Sequence, residues 1–287
     1  MGQLREPAGR GPVTPVYAAH DEVHNDAVAL RGLLLGRRTK TESNTACAAR
    51  LVLRPQRELG MPQLRAVTFR CGAEKIAGFL ASPSRPGRHG AIIAIHEWWG
   101  LTPWVKTQAS RLAKNGYVVL ALDLYHRKVT SIPSQARKLK RDLPLNHAIG
   151  EMKAAFTYLA CRADVDPKRI GALGWSMGGG LALQLAIHES RLAACVVNYG
   201  ALATKLADIE KINARTLGLF GVLDRGIPPN KVRAFEKRMN AAKKLVEITI
   251  YEGAGHAFEN PTNILQFRPK AATDAWLRTL TFLNRSF

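Results

Sequence analysis

Residues 171–180 read GALGWSMGGG. Glycines and a serine mark bends in every fold class, so the meaning of Ser176 depends on what stands on either side. On its amino side Ile170–Trp175 is an apolar run with the composition of a buried strand. On its carboxyl side a helical spacing begins at once, with Leu181, Leu185 and His188 on its inner face. The stretch is therefore a strand-to-helix junction, and the fold follows from asking how often that junction recurs.

It recurs throughout the chain. Further apolar, β-rich runs lie at Ala91–Ile95, Tyr117–Leu122, Ala194–Tyr199, Thr216–Val222 and Val246–Tyr251. Segments of helical period separate them. The first has Thr102 as N-cap, Pro103 at the first helical position and Val105, Ala109, Leu112 and Ala113 on one face, and it stops at Asn115-Gly116. Others set Ile149, Met152, Phe156 and Leu159, then Val232, Phe235 and Met239, then Ala272, Trp276, Thr279 and Leu283 three and four apart. Strands so continuously apolar are buried on both faces. The spacing thus predicts an α/β domain, a mainly parallel central sheet with helices on both faces. Before it, residues 61–81 form two alternating runs divided by Cys71-Gly-Ala-Glu, the pattern of a hairpin.

Residues 1–60 lack this patterning and read as a disordered or over-extended leader, with the folded unit spanning 61–287. The 287 residues suffice for a sizeable core. Four cysteines show no CxxC spacing and read as reduced thiols, with Cys161 and Cys195 in apolar, buried segments. No apolar run approaches the ~18 residues of a membrane helix, so the expected compartment is the cytoplasm, with no membrane partner. The net charge of +20 invites a nucleic-acid reading. Its densest cluster, Arg137–Arg141, has no interleaved aromatics and no zinc or helix-turn-helix spacing. It reads as a solvated basic face that attracts anions, and no nucleic-acid partner is expected.

The junction also has a chemical reading. G-x-S-x-G between strand and helix forces the serine into a sharp turn, exposes its hydroxyl and leaves Gly174 and Gly178 no room for side chains. A P-loop needs Lys-Ser/Thr after its last glycine, whereas Leu181-Ala182 follows Gly180, and a dinucleotide GxGxxG fails at Leu183. A serine hydroxyl needs a base and an orienting carboxylate. Asp224 lies just past the Thr216–Val222 strand and His256 just past the last one, giving the order Ser, Asp, His. That order is the one found in α/β-hydrolases. Taken singly, Asp224 could cap a helix and His256 could be a surface loop residue.

IAIHEWWGLTPWV, LALDLYHRK, GWSMGGG, FGVLDRGIPP and YEGAGHAFENP together resemble the dienelactone hydrolase family, over nearly all of residues 61–287. The resemblance implies an α/β-hydrolase that cleaves a small ester or lactone, neutral or anionic, through an acyl-enzyme, without cofactor or metal, as a monomer or small homo-oligomer. It implies Ser176 as nucleophile, Asp224 as orienting carboxylate and His256 as base. The backbone amides of Trp98 and Met177 would form the oxyanion hole. Glu97 matches a glutamate that meets the resting nucleophile, and Arg127 an arginine that contacts a substrate carboxylate. Two departures stand out: serine replaces the family's usual cysteine, and Phe258, Glu259 and Asn260 replace a segment that carries a second arginine. A general carboxylesterase or thioesterase with the same triad, and a non-catalytic basic scaffold, are the alternatives. Trp98, Trp99, Trp104 and Trp175 fit either an acyl pocket or core packing, His96 reads as structural, and Asp123 has no assigned catalytic role.

Overall fold

The computed structural model describes Pro62 and residues 64–287; the leader assigned to residues 1–60, and Cys47 within it, lie outside the described residues. The chain runs β1 (Arg65–Cys71), β2 (Glu74–Ala81), β3 (His89–Ile95), α1 (Pro103–Lys114), β4 (Val118–Leu122), α2 (Pro133–Arg141), α3 (Leu145–Ala160) and β5 (Val165–Trp175). It continues through α4 (Met177–His188), β6 (Ala194–Asn198), the single turn α5 (Leu206–Ile209), β7 (Arg215–Gly221), α6 (Pro229–Ala241), β8 (Val246–Tyr251) and α7 (Pro269–Ser286). The eight strands form one sheet in the order β1-β2-β4-β3-β5-β6-β7-β8. β1, β2 and β4 pair antiparallel, and every neighbour from β4 through β8 pairs parallel.

The central strands are apolar on both sides because each faces two helix layers. In β3, Ile93 and Ile95 join the core under α3 and α4, while Ile92 and Ala94 join the core under α1 and α7. In β4, Val118, Leu120 and Leu122 share the first core, and Val119 and Ala121 the second. The side-chain period of two thus feeds both layers at once, which is why no polar face interrupts the run.

The hairpin closes as expected, with Cys71 paired to Glu74 and Gly72 at φ +58° in the turn. Five local expectations are corrected. β5 starts at Val165 rather than Ile170, because a register shift against β3 carries pairing through the turn-like Asp166-Pro167-Lys168. Thr102 occupies the N-cap position of α1, yet its hydroxyl makes no capping bond; Pro103 at the first helical position has no N–H to satisfy. His188 is exposed, bonding its ring to the Gln184 carbonyl, because α4 is wedged between sheet and α3 and buries Leu183, Ala186 and Ile187 instead. Cys161 is exposed at the end of α3, whereas Cys195 is buried in β6; neither forms a disulfide. On α7 Thr279 and Leu283 are buried as expected, but Ala275 and Phe282 complete the buried stripe in place of Ala272 and Trp276. Among the described residues no helix is long and apolar enough to cross a membrane.

Candidate active site

Parallel strands send all their carboxyl ends to one edge of the sheet, and the loops beyond those ends carry the predicted site residues. Ser176 follows β5, Asp224 follows β7 and His256 follows β8. Trp98 follows β3 and Arg127 follows β4.

Ser176 has φ +54° and ψ −114°, a conformation that side chains other than glycine rarely adopt. Its backbone is held in that state from both sides: its N–H donates to the Asn198 carbonyl at 2.9 Å, and its own carbonyl accepts from Gly180 N at 3.2 Å. The Asn198 side chain adds a bond from Nδ2 to the Gly174 carbonyl at 3.2 Å. The flanking glycines are sterically required. A Cβ on Gly174 would lie 2.1 Å from the Gly178 carbonyl oxygen, and one on Gly178 would lie 2.2 Å from that of Ile95.

Three side chains then form a relay. His256 Nδ1 lies 2.7 Å from Asp224 Oδ2, and His256 Nε2 lies 2.7 Å from Ser176 Oγ. Asp224 is 1% exposed, and its other oxygen accepts the amides of Gly226 and Ile227 at 2.9 and 3.1 Å. Burial pushes its carboxyl up, but the His256 hydrogen bond and those amides outweigh burial and hold it below the usual carboxylate range. A carboxylate only accepts, so Nδ1 carries the proton and Nε2 is left with a lone pair facing the serine hydroxyl. The His256 loop can cross the end of β7 because Gly221 lacks a side chain; a Cβ there would lie 2.4 Å from the Ala254 carbonyl oxygen.

Glu97 is buried and accepts a 2.7 Å bond from Asn260 Nδ2. Burial raises its carboxyl to about 7, against the pull of Asn260 and of His256. Glu259 accepts from the Trp175 indole at 3.3 Å, and burial, reinforced by the proximity of Glu97, raises it to about 8. Tyr199, at φ +39°, stacks edge-on against His256 with centroids 5.3 Å apart and buries a hydroxyl that has no hydrogen-bond partner. Tyr199, Asn260 and Glu259 were not singled out as site residues from the sequence. The signal for the last two was their position directly after His256, where the family pattern is broken.

The remaining expectations divide. Met177 is the first residue of α4, where a helical amide has no partner four residues back. Its sulfur meets the Tyr125 hydroxyl at 3.2 Å. Trp98 is half-buried, packed against Trp99 at 4.8 Å, while Trp104 and Trp175 are core residues in edge contact at 5.0 Å. His96 is structural: it is fully buried, its Nδ1 lies 2.6 Å from the Glu97 carbonyl, and its Nε2 accepts from Leu124 N at 3.3 Å. Asp123 ties down the loop after β4 by accepting Tyr125 N and Arg127 N. Arg127 itself, at φ +71°, is exposed on that loop, and its guanidinium makes no bond to the relay.

Comparisons with known proteins bear on the family and the fold. A Saccharolobus solfataricus protein named "Putative carboxymethylenebutenolidase" is 34% identical over 254 residues, covering 74% of this chain and 94% of that protein. A Bradyrhizobium protein named "Probable 2-oxo-3-(5-oxofuran-2-ylidene)propanoate lactonase" is 32% identical over 226 residues, covering 74% of this chain and 90% of that one. The crystal structure of P91, a dienelactone hydrolase-like promiscuous phosphotriesterase from metagenomic libraries, shares the fold, with a TM-score of 0.71. Its identity is 22%, over 79% of this chain and all of that one. The pattern of the Dienelactone hydrolase family itself matches residues 76–287. The α/β-hydrolase fold, the clustered side chains at the carboxyl edge and this match lead to one statement: the chain belongs to the dienelactone hydrolase family.

Proposed function

We propose that the protein is a serine hydrolase that cleaves a small ester or lactone through an acyl-enzyme. The observation that carries this is the continuous relay of 2.7 Å contacts, Ser176 Oγ to His256 Nε2 and His256 Nδ1 to Asp224 Oδ2, on a strained serine. Ser176 Oγ attacks the carbonyl carbon as its proton passes to His256 Nε2, and Asp224 stabilises the imidazolium that results. The carbonyl oxygen gathers negative charge and is met by the amides of Met177 and Trp98, at the positive end of α4. The carbon–oxygen bond then breaks, and the leaving oxygen takes the proton from His256. Water, deprotonated by His256, attacks the acyl-serine and releases the acid and Ser176.

The lactone side of this reading draws support from the names of the two relatives above. The guanidinium of Arg127, exposed and without a hydrogen bond among the described residues, is proposed as the contact for a substrate carboxylate. Glu97 serves here as a buried, Asn260-bonded group behind the base, since a serine offers no thiol for it to control.

The test is labelling with a fluorophosphonate followed by mass spectrometry. One adduct on Ser176, abolished in Ser176→Ala together with hydrolysis of p-nitrophenyl acetate, is the expected result. Retained turnover in a folded Ser176→Ala protein would overturn the mechanism.

A further inference from the structure

On the flank of the sheet where the hairpin meets α3, two imidazoles and a carboxylate converge. His147 and Glu151 stand four residues apart on α3 and so share one helix face. His126 reaches them from the loop after β4, and Glu74 from the start of β2. His126 Nε2 lies 3.2 Å and His147 Nε2 3.0 Å from the same Glu151 oxygen, and Glu74 Oε2 lies 3.5 Å from His147 Nε2. Among the described residues no other three His, Cys, Asp or Glu side chains bring ligand atoms this close.

The Glu151 side chain is 0% exposed, yet neither of its oxygens has a hydrogen-bond partner. Two imidazole nitrogens, at 3.2 and 3.0 Å, are the groups that face it. A carboxylate sealed from water and left without hydrogen bonds is costly, and a cation at the point of convergence removes that cost. The spacing suits one ion in particular. Zinc bonds of 2.0–2.2 Å in a tetrahedron put neighbouring ligand atoms about 3.4 Å apart; the Glu151 oxygen lies 3.2 and 3.0 Å from the two imidazole nitrogens, and the three ligand atoms all lie within 4.8 Å of one another. Two imidazole nitrogens with a carboxylate select such a borderline metal over magnesium or calcium, which prefer oxygen throughout.

We propose that His126, His147 and Glu151, with Glu74 as a fourth and more exposed ligand, form a zinc-binding site separate from the Ser176 relay. Its consequence lies in the loop after β4. His126 and Arg127 both adopt left-handed backbone, φ +50° and +71°, and Tyr125 beside them touches Met177 at 3.2 Å. A metal bound to His126 pins this strained loop to α3 and the hairpin, and so steadies the wall next to the elbow. The role is structural and is independent of how Ser176 reacts.

The experiment is calorimetric titration of zinc chloride into the full-length protein after dialysis against a chelator, with thermal unfolding as a second readout. One zinc per chain and a raised Tm are expected. Glu151→Gln, His147→Gln and His126→Gln should each weaken binding by at least the roughly 10–100-fold that loss of a metal's outer-shell partner costs. Glu74→Gln should weaken it less. His188→Gln and His256→Ala, which alter histidines elsewhere, should leave the affinity unchanged. Cobalt(II) in place of zinc should give intense visible absorption from tetrahedral coordination. His126 is 51% exposed, so its variant is the one to use where substitution on α3 impairs folding. Absence of binding, or binding that survives in His126→Gln and Glu151→Gln or is lost only in His256→Ala, would overturn the site.

Discussion

Asn260 donates its side-chain amide to Glu97 Oε2 at 2.7 Å, joining the loop after β3 to the loop that carries His256. The donor in turn is oriented by Thr262, whose N–H and hydroxyl both bond Asn260 Oδ1. The pair holds a buried carboxyl within electrostatic reach of His256, and because burial disfavours its charged form its ionisation is felt in stability.

Burial raises Glu97 from 4.5 to about 7. Folding then tightens proton binding, so the group's stabilising contribution is complete below about pH 4.5, is lost as pH rises to about 7, and is constant above. Two to three pKa units correspond to about 3 kcal/mol. Glu97→Gln should flatten this part of the profile, seen as a smaller difference between urea midpoints at pH 5 and pH 8. Glu259, raised to about 8 chiefly by burial, leaves a residual slope that Glu97→Gln/Glu259→Gln should remove. An unchanged slope in the double variant would show that these carboxyls are ionised at the ordinary pH.

Asp224→Asn preserves shape but turns an acceptor into a donor, so His256 loses the partner that keeps its proton on Nδ1. Nε2 is then protonated and cannot take the serine proton. Substitution of this kind in a serine triad lowers kcat about 10⁴-fold, and a comparable fall is expected here with KM for p-nitrophenyl acetate little changed. A loss below tenfold would remove Asp224 from the relay.

Two glycines offer a controlled contrast. Gly178→Ala drives a Cβ to 2.2 Å from the Ile95 carbonyl, whereas Gly72 has φ +58° and nothing within 4 Å of the added atom. Gly72→Ala should cost only the backbone strain, about 1 kcal/mol. Gly178→Ala must displace the end of β3 from the elbow and should lower Tm far more, or prevent recovery of folded protein. Equal Tm losses would mean the elbow has slack.

The strain at Ser176 is itself measurable. Ser176→Gly removes a side chain from φ +54°, whereas Ser176→Ala keeps one there. Both should be inactive, but the glycine variant should be the more stable of the two by about 1 kcal/mol, read from denaturant midpoints. The reverse order would indicate that the turn is relaxed.

The sheet was legible because its central parallel strands are buried and apolar without interruption: Ala91–Ile95 and Val118–Leu122 need no context to be recognised. The elbow was legible because G-x-S-x-G at a strand-to-helix junction is a local pattern, and Gly174 answers to Gly178 within it, although what crowds Gly178 is the distant Ile95 carbonyl. The extension of β5 to Val165 was hidden, since Asp166-Pro167-Lys168 has the chemistry of a turn and is paired only by the bulge against β3. α2 was hidden as well, because its one buried residue, Ala136, leaves no apolar stripe to read.

By itself, then, the sequence determined the alternation of strand and helix, the strained serine, and the order in which Asp224 and His256 follow it. Those are properties of local period and of chain order at one sheet edge. Only the tertiary structure decided that Tyr199 faces His256, that Asn260 reaches Glu97, and that His126 meets His147 and Glu151. Such pairs come together through strand order and helix docking, set by the packing of two cores at once, and no short-range pattern encodes them.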